Sequence, residues 1–165
     1  MTVPQDVTYG SEQFRAWLVD LKDRALLGSC NSSYAMLRAF LQEARDRSKL
    51  EDALRLADLL PPLVRGIMLE GWHPEAAAAG ERRPFLDAVK ERLEPHQPPP
   101  DSIVEDVLAV LAYRTPPHVR PALATLMPPE LRSMWAAAID DASSRGAFRA
   151  LEPQAPQPRD VGRPR

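Results

Sequence analysis

The chain has 165 residues, 44% hydrophobic but only 6% aromatic, and its 21 basic and 23 acidic residues leave a net charge of −2. That balance lacks the basic excess with which nucleic-acid binders displace counterions, and no apolar run approaches the roughly 20 residues that span a bilayer. The lone Cys30 excludes an intrachain disulfide and suits a reducing compartment, and the opening Met1 to Asp6 has no secretory-signal character, so the expectation is a soluble cytoplasmic protein without membrane contact.

Much of the apolar content is Ala and Leu, which crowd the preceding helical turn least. Residues 1–10 are polar and aperiodic and read as a flexible N-terminus. Ser11 then offers a cap to a helix striped by Phe14, Leu18, Leu21 and Ala25. Turn formers at Gly28 to Ser32 precede a second helix carrying Met36, Leu37, Phe40, Leu41 and Ala44. Ser48 and Glu51 have capping-box spacing and open a third helix through Leu50, Leu54 and Ala57. Pro61-Pro62 breaks it, and a short fourth helix from about Leu63 to Glu70 ends with Gly71 at C′ and Pro74 just beyond.

A second series comes next. Pro84 starts a helix with Phe85, Val89 and Leu93, and Pro98-Pro99-Pro100 forms a stiff linker. Ser102 and Glu105 make another capping box before Ile103, Val104, Val107, Leu108 and Leu111. Thr115-Pro116 reads as an N-cap with proline at the first helical position, before Val119 and Leu123. Pro128-Pro129 breaks the chain again, and a last helix carries Leu131, Met134, Trp135, Ala138 and Ile139.

The two series are related. An offset of 67 takes Leu41 to Leu108, Arg47 to Arg114, Leu56-Ala57 to Leu123-Ala124, Pro61-Pro62 to Pro128-Pro129 and Arg65 to Arg132. The first helices need 71, pairing Phe14 with Phe85 and Leu18 with Val89, which implies a longer first connection. An internal duplication accounts for this, and two units are too few for a solenoid. The expected fold is all-α, about eight helices in two tandem four-helix repeats packed as one domain over 11–145. The first half covers about 11–72 and the second about 82–142. Residues 146–165, with Pro153, Pro156, Pro158 and the terminal Arg163-Pro164-Arg165, read as a disordered tail, either solubilising or a proline-type recognition peptide.

Two stretches carry a family resemblance: Leu56 to Gly66 followed by Glu70-Gly71-Trp72-His73-Pro74, and Leu123 to Trp135. With a helix break of Leu-Pro type before an arginine in each half and a Gly-Trp pair after the first, the chain resembles the bacterial family called domain of unknown function 2267. The resemblance covers roughly Phe14 to Ala138 and implies an all-helical fold, with no activity or catalytic residues to carry over. Two prolines at each break and the long first connection depart from the family pattern.

Candidate functional side chains are few. Trp72 and His73 could anchor a partner, although a tryptophan at C″ also packs back on its own helix. Arg65 and Arg132 could clamp an anion or tie down the loops before them. Trp135 completes the partner- or ligand-binding candidates. His73, His96 and His118 have no metal-ligand spacing, so no metal or other cofactor is expected. Glu43, Asp46, Glu51, Asp52 and Asp58 interleave with Arg45, Arg47, Lys49 and Arg55 as a solvated face of mixed charge. Cys30 lies in a turn before a helix, where a thiol could be activated. With no catalytic set in view, the expectation is a non-enzymatic cytoplasmic interaction or regulatory module that binds a protein partner or itself. The alternative is a small-ligand binder or enzyme with a site between the halves, drawing on Glu70, His73, Arg65 and Arg132; nucleic-acid binding ranks last.

Overall fold

The computed structural model describes residues 4–74, 83–93 and 98–144. The expectations for 1–3, for the start of the second half at 82, for His96 and for the tail after 145 lie outside these residues. Within them the fold is all-α: α1 (Gln5–Arg24), α2 (Cys30–Asp46), α3 (Leu50–Asp58), α4 (Pro62–Leu69), α5 (Phe85–Glu91), α6 (Ile103–Arg114), α7 (Arg120–Leu126) and α8 (Arg132–Ser144), with one 3-10 turn at Pro129–Leu131.

Helices α2 and α6 are the centre. Ile103 to Ala112 is buried on almost every side except at Glu105, and α2 buries all of Ala39 to Arg45; a helix apolar nearly all round must be enclosed by others. Around this pair, α1 packs on α2, α4 and α6, α5 packs on α2, and α8 packs on α6 and α7. Helix α3 lies against α4 and α7.

Burial follows the offset of 67 through the second to fourth helices. Leu37 and Val104, Phe40 and Val107, Leu41 and Leu108, Leu56 and Leu123, Leu60 and Met127, Val64 and Leu131, and Met68 and Trp135 are all buried. The first helices depart from the expected 71. Phe14 and Leu18 are only partly buried, whereas Trp17 and Leu21 in α1 and Phe85 and Val89 in α5 are core residues. Burial therefore matches these helices at 68, which places Arg24 opposite Arg92.

Several local expectations are corrected. The lead-in ends at Pro4, whose carbonyl receives the Val7 and Thr8 N–H groups, so α1 begins six residues before Ser11. Ser11 Oγ donates to the Val7 carbonyl from within the helix. Neither capping box forms: Ser48 Oγ donates to the Ala44 carbonyl and Ser102 Oγ to Asp106 Oδ2. Thr115 closes α6, and a turn from Pro116 to Val119 separates it from α7. Through α3 and the turn after it the inward stripe is Ala53, Leu56, Ala57 and Leu60, an i, i+3, i+4, i+7 set that leaves Leu50 and Leu54 exposed.

Two helix ends use the left-handed backbone region differently. After α4, Glu70 (φ −56°, ψ 128°) and Gly71 (φ 59°) with the Trp72 N–H to Leu69 carbonyl bond form a type II turn, whose third position needs positive φ. After α1, Leu26 adopts φ 52° and Leu27 N–H closes on the Lys22 carbonyl at 2.8 Å, a Schellman end built without glycine. Leu26 is 91% exposed, so it gains little packing for this strain. Leu26→Gly should raise unfolding stability by about 1 kcal/mol and Gly71→Ala should lower it by about 1 kcal/mol. Urea unfolding of both variants checks the pair of opposite signs.

Candidate functional site

Two polar clusters join the elements, one packed with side chains and one open. In the packed cluster, Glu43 of α2 accepts from Arg47 Nε at 2.6 Å and from Arg92 Nε at 2.8 Å. Arg92 also donates to Asp46 at 2.7 Å, and Asp46 accepts from Arg45 at 2.8 Å. Arg47 continues to Glu130 and to the Arg83 carbonyl, both at 2.7 Å, and lies over the Phe85 ring. Burial pulls the Arg47 and Arg92 guanidiniums down, but hydrogen bonds to Glu130 and Glu43 for Arg47, and to Glu43 and Asp46 for Arg92, outweigh it. Both are held above their ordinary values. Glu43 and Arg45 are buried. This part of the expected solvated face is thus a partly buried ion-pair network, centred on Glu43 and open to solvent at Arg92 and Glu130, that ties α2 to α5 and to the turn before α8, while Glu51 and Asp58 do face solvent.

The open cluster is a cleft of about 650 Å³ between α1, α6 and α8. Its walls carry Asp20, Asp23 and Arg24 from α1 and Asp141 from α8, and its floor carries Asp106, Ala109, Val110 and Tyr113 from α6. The floor residues recur at i, i+3, i+4 and i+7, one face of one helix. Arg24 spans the cleft, with Nε 3.0 Å from Asp106 Oδ1 and Nη1 3.1 Å from Asp141 Oδ2. Asp106 is buried at 7% exposure and receives Ser102 Oγ on its other oxygen at 2.8 Å. Arg114 pairs with Asp20 at 2.6 Å, and Lys22 with Asp23 at 3.2 Å. Chemically the cleft offers carboxylates, one guanidinium and a phenol ring over small apolar side chains.

The residues singled out from sequence fall elsewhere. Arg65 donates to the carbonyls of Ala57, Asp58 and Leu60, and Arg132 to those of Thr125 and Met127. Asp58 and Leu60 lie 67 before Thr125 and Met127, so the two arginines hold matching loops. Trp135 is a core residue, 1% exposed, with Nε1 3.4 Å from the Arg120 carbonyl. Trp72 is half-buried with Arg45 5.5 Å from its ring centroid, and its buried Nε1 has no partner. His73 is exposed, and Glu70 pairs with Arg38 at 2.9 Å. Among the described residues no hydrogen bond or ion pair joins His73, Glu70, Arg65 and Arg132 into one site. Nor do three or more His, Cys, Asp or Glu side chains meet there in a group suited to a metal ion.

The cleft residues escaped the sequence reading. The available signal was Asp106, an acid between Val104 and Val107 on the inward face of an apolar helix, together with the i, i+3, i+4 spacing of Asp20, Asp23 and Arg24.

Helical fold and polar cleft define an all-α domain with an open polar groove, and among the described residues no helix is long and apolar enough to cross a membrane. Residues 14–134 match the family described as uncharacterized conserved protein (DUF2267), and the chain belongs to that family. Comparison with curated proteins returns no match.

Arg24 is expected to couple its two carboxylates energetically. Arg24→Met should destabilise the fold by about 2 kcal/mol by leaving buried Asp106 without its cation. Adding Asp106→Asn should cost less than the sum of the single changes, with a coupling of at least about 1 kcal/mol. A double-mutant cycle by urea unfolding measures it, and additive effects would show that the pair is not coupled.

Proposed function

We propose that this protein is a non-enzymatic cytoplasmic interaction module that binds a basic, partly apolar segment of a protein partner in the α1–α6–α8 cleft. The observation that carries the reading is the cleft's composition: four aspartates and one arginine around an apolar floor of Ala109, Val110 and the Tyr113 ring. An arginine or lysine entering there meets carboxylates at the walls while its neighbouring apolar side chain covers the floor. The cleft also lies between the first helix of one half and the second and last helices of the other, where an inter-half site was expected. A second reading, a small organic cation as ligand, is favoured by the volume, which falls within the usual small-molecule range.

The test is a nitrogen-15 NMR titration of the full chain with an acetylated hexapeptide carrying two arginines, a phenylalanine and a leucine. Expected are saturable shifts confined to amides around Asp23, Arg24, Ala109, Tyr113 and Asp141, weakening as salt rises from about 50 mM to about 0.5 M. Asp23→Lys, at an exposed wall position, should reduce the affinity severalfold. Shifts scattered over the surface, or none, would defeat the reading. A saturable response to an aliphatic diamine but not to the peptide would favour the small cation.

A further inference from the structure

Arg45 and Arg47 bury their side chains, and each meets a carboxylate: Asp46 for Arg45, Glu43 and Glu130 for Arg47. Arg120, at the start of α7, is 8% exposed and forms no ion pair among the described residues. Its side chain has one bond there, from Nε to the Thr115 carbonyl at 3.2 Å, and Nη1 and Nη2 donate to nothing. Thr115 is itself 4% exposed, and its hydroxyl has no partner among the described residues either. The fully enclosed donors without partners are Trp17 Nε1 and Trp72 Nε1, so the Arg120 fork and the Thr115 hydroxyl end at the surface.

An enclosed cation without a counterion is costly, on the order of several kcal/mol. The Thr115 carbonyl, at the negative end of α6, offsets part of that. Locking the turn does not account for the rest. Arg65 and Arg132, which lock their turns, each donate through two nitrogens to two or more carbonyls and stand open to water. The α6–α7 turn is also held rigid. Pro116 and Pro117 fix successive φ angles, Val119 N–H closes on the Pro116 carbonyl at 2.9 Å, and Trp135 Nε1 bonds the Arg120 carbonyl from the core. From Val107 to Pro129 the chain carries Arg114, His118 and Arg120 and no acidic residue. We propose that Arg120 and Thr115 form a binding site for one oxyanion, a carboxylate or phosphate group, at the α6–α7 turn. The planar fork supplies paired, charge-assisted donors to two oxygens, and the Thr115 hydroxyl adds a neutral donor beside it. The site uses none of the residues that line the α1–α6–α8 cleft, so it stands whether or not the cleft takes a partner.

The experiment follows the Arg120 Nε–H and Thr115 amide signals of the full nitrogen-15-labelled chain while sodium phosphate or sodium acetate replaces sodium chloride at constant ionic strength. Saturable shifts are expected at both signals, with the Nε–H signals of Arg65 and Arg132 unmoved. Thr115→Val keeps the branched shape, removes the hydroxyl and should weaken phosphate binding by about tenfold, as loss of one hydrogen bond to a charged group does. Arg120→Lys keeps the charge, removes the fork and should weaken binding at least as much. The thermal unfolding midpoint of the unsubstituted chain should rise with phosphate, and that of Arg120→Lys should not. Saturation by both anions supports a general oxyanion site, and saturation by one of them supports the site and names its group. Shifts no larger than chloride gives, or phosphate binding unchanged in Thr115→Val, overturn the inference and leave Arg120 as a lock of the turn alone. Thr115→Val decides the matter even where Arg120→Lys fails to fold.

Discussion

Arginines that cross from one half of the chain to the other hold this fold together. Arg24, at the end of α1, reaches Asp106 on α6 and Asp141 on α8, while Arg92, just after α5, reaches Glu43 and Asp46 on α2. Each first helix is thereby clasped to the second helix of the opposite half. Arg47 and Arg114 repeat the theme from the ends of α2 and α6, the one over Phe85 and onto Arg83, the other onto Asp20. Apolar packing supplies most of the free energy of folding, but it is not directional. A helix of small residues can rotate or slide on its neighbour at little cost, and guanidinium forks with fixed donors hold one register.

The clasp dictates where an open cleft can form. An arginine that must meet an acid on a central helix brings that acid into the interior, and the acid requires full satisfaction once buried. Asp106 achieves this with Arg24 and Ser102. Nη1 of the same guanidinium turns outward to Asp141 and bridges α1 to α8 across the face of α6. The cleft is thus a consequence of how the first helix is anchored, and its charge comes from the same residues that give the fold its register.

Most of the fold was legible in the sequence, because stripes at helical spacing and proline breaks are local signals. The helices of the described residues and the Pro61 and Pro128 interruptions depend on residues within a turn or two of one another, and the second-to-fourth-helix offset of 67 follows from comparing those local patterns. The failures share one cause. Ser48, Ser102 and Thr115 have the right identity for caps, but each hydroxyl or backbone position is taken up otherwise: Ser48 by the preceding helix α2, Ser102 by Asp106, Thr115 by closing α6. Leu50 and Leu54 fit a stripe as well as Ala53 and Leu56 do, and only the packing of α3 against α4 and α7 chooses between them. The first-helix offset erred because Phe14 outweighs Trp17 in a search for matching aromatics, whereas burial pairs Trp17 with Phe85. The cleft was the least legible feature, since Arg24 and Asp106 are 82 residues apart.

The two clasps also differ in a way that singles out one side. At the offset of 67, α2 has Ala39 where α6 has Asp106, and Arg45 where α6 has Ala112. Arg45 turns inward, bonds the carbonyls of Met68 and Glu70 that end α4, and sits against Trp72, so this side is closed by backbone contacts and an aromatic lid. On the other side, small Ala112 makes no such closure, and Asp106 takes its cation from across the gap instead. One guanidinium on α2 fills what one carboxylate on α6 leaves open. Closure of the Trp72 side accounts for a conspicuous tryptophan without assigning it a partner. The acidic side stays open, as a cleft over α6.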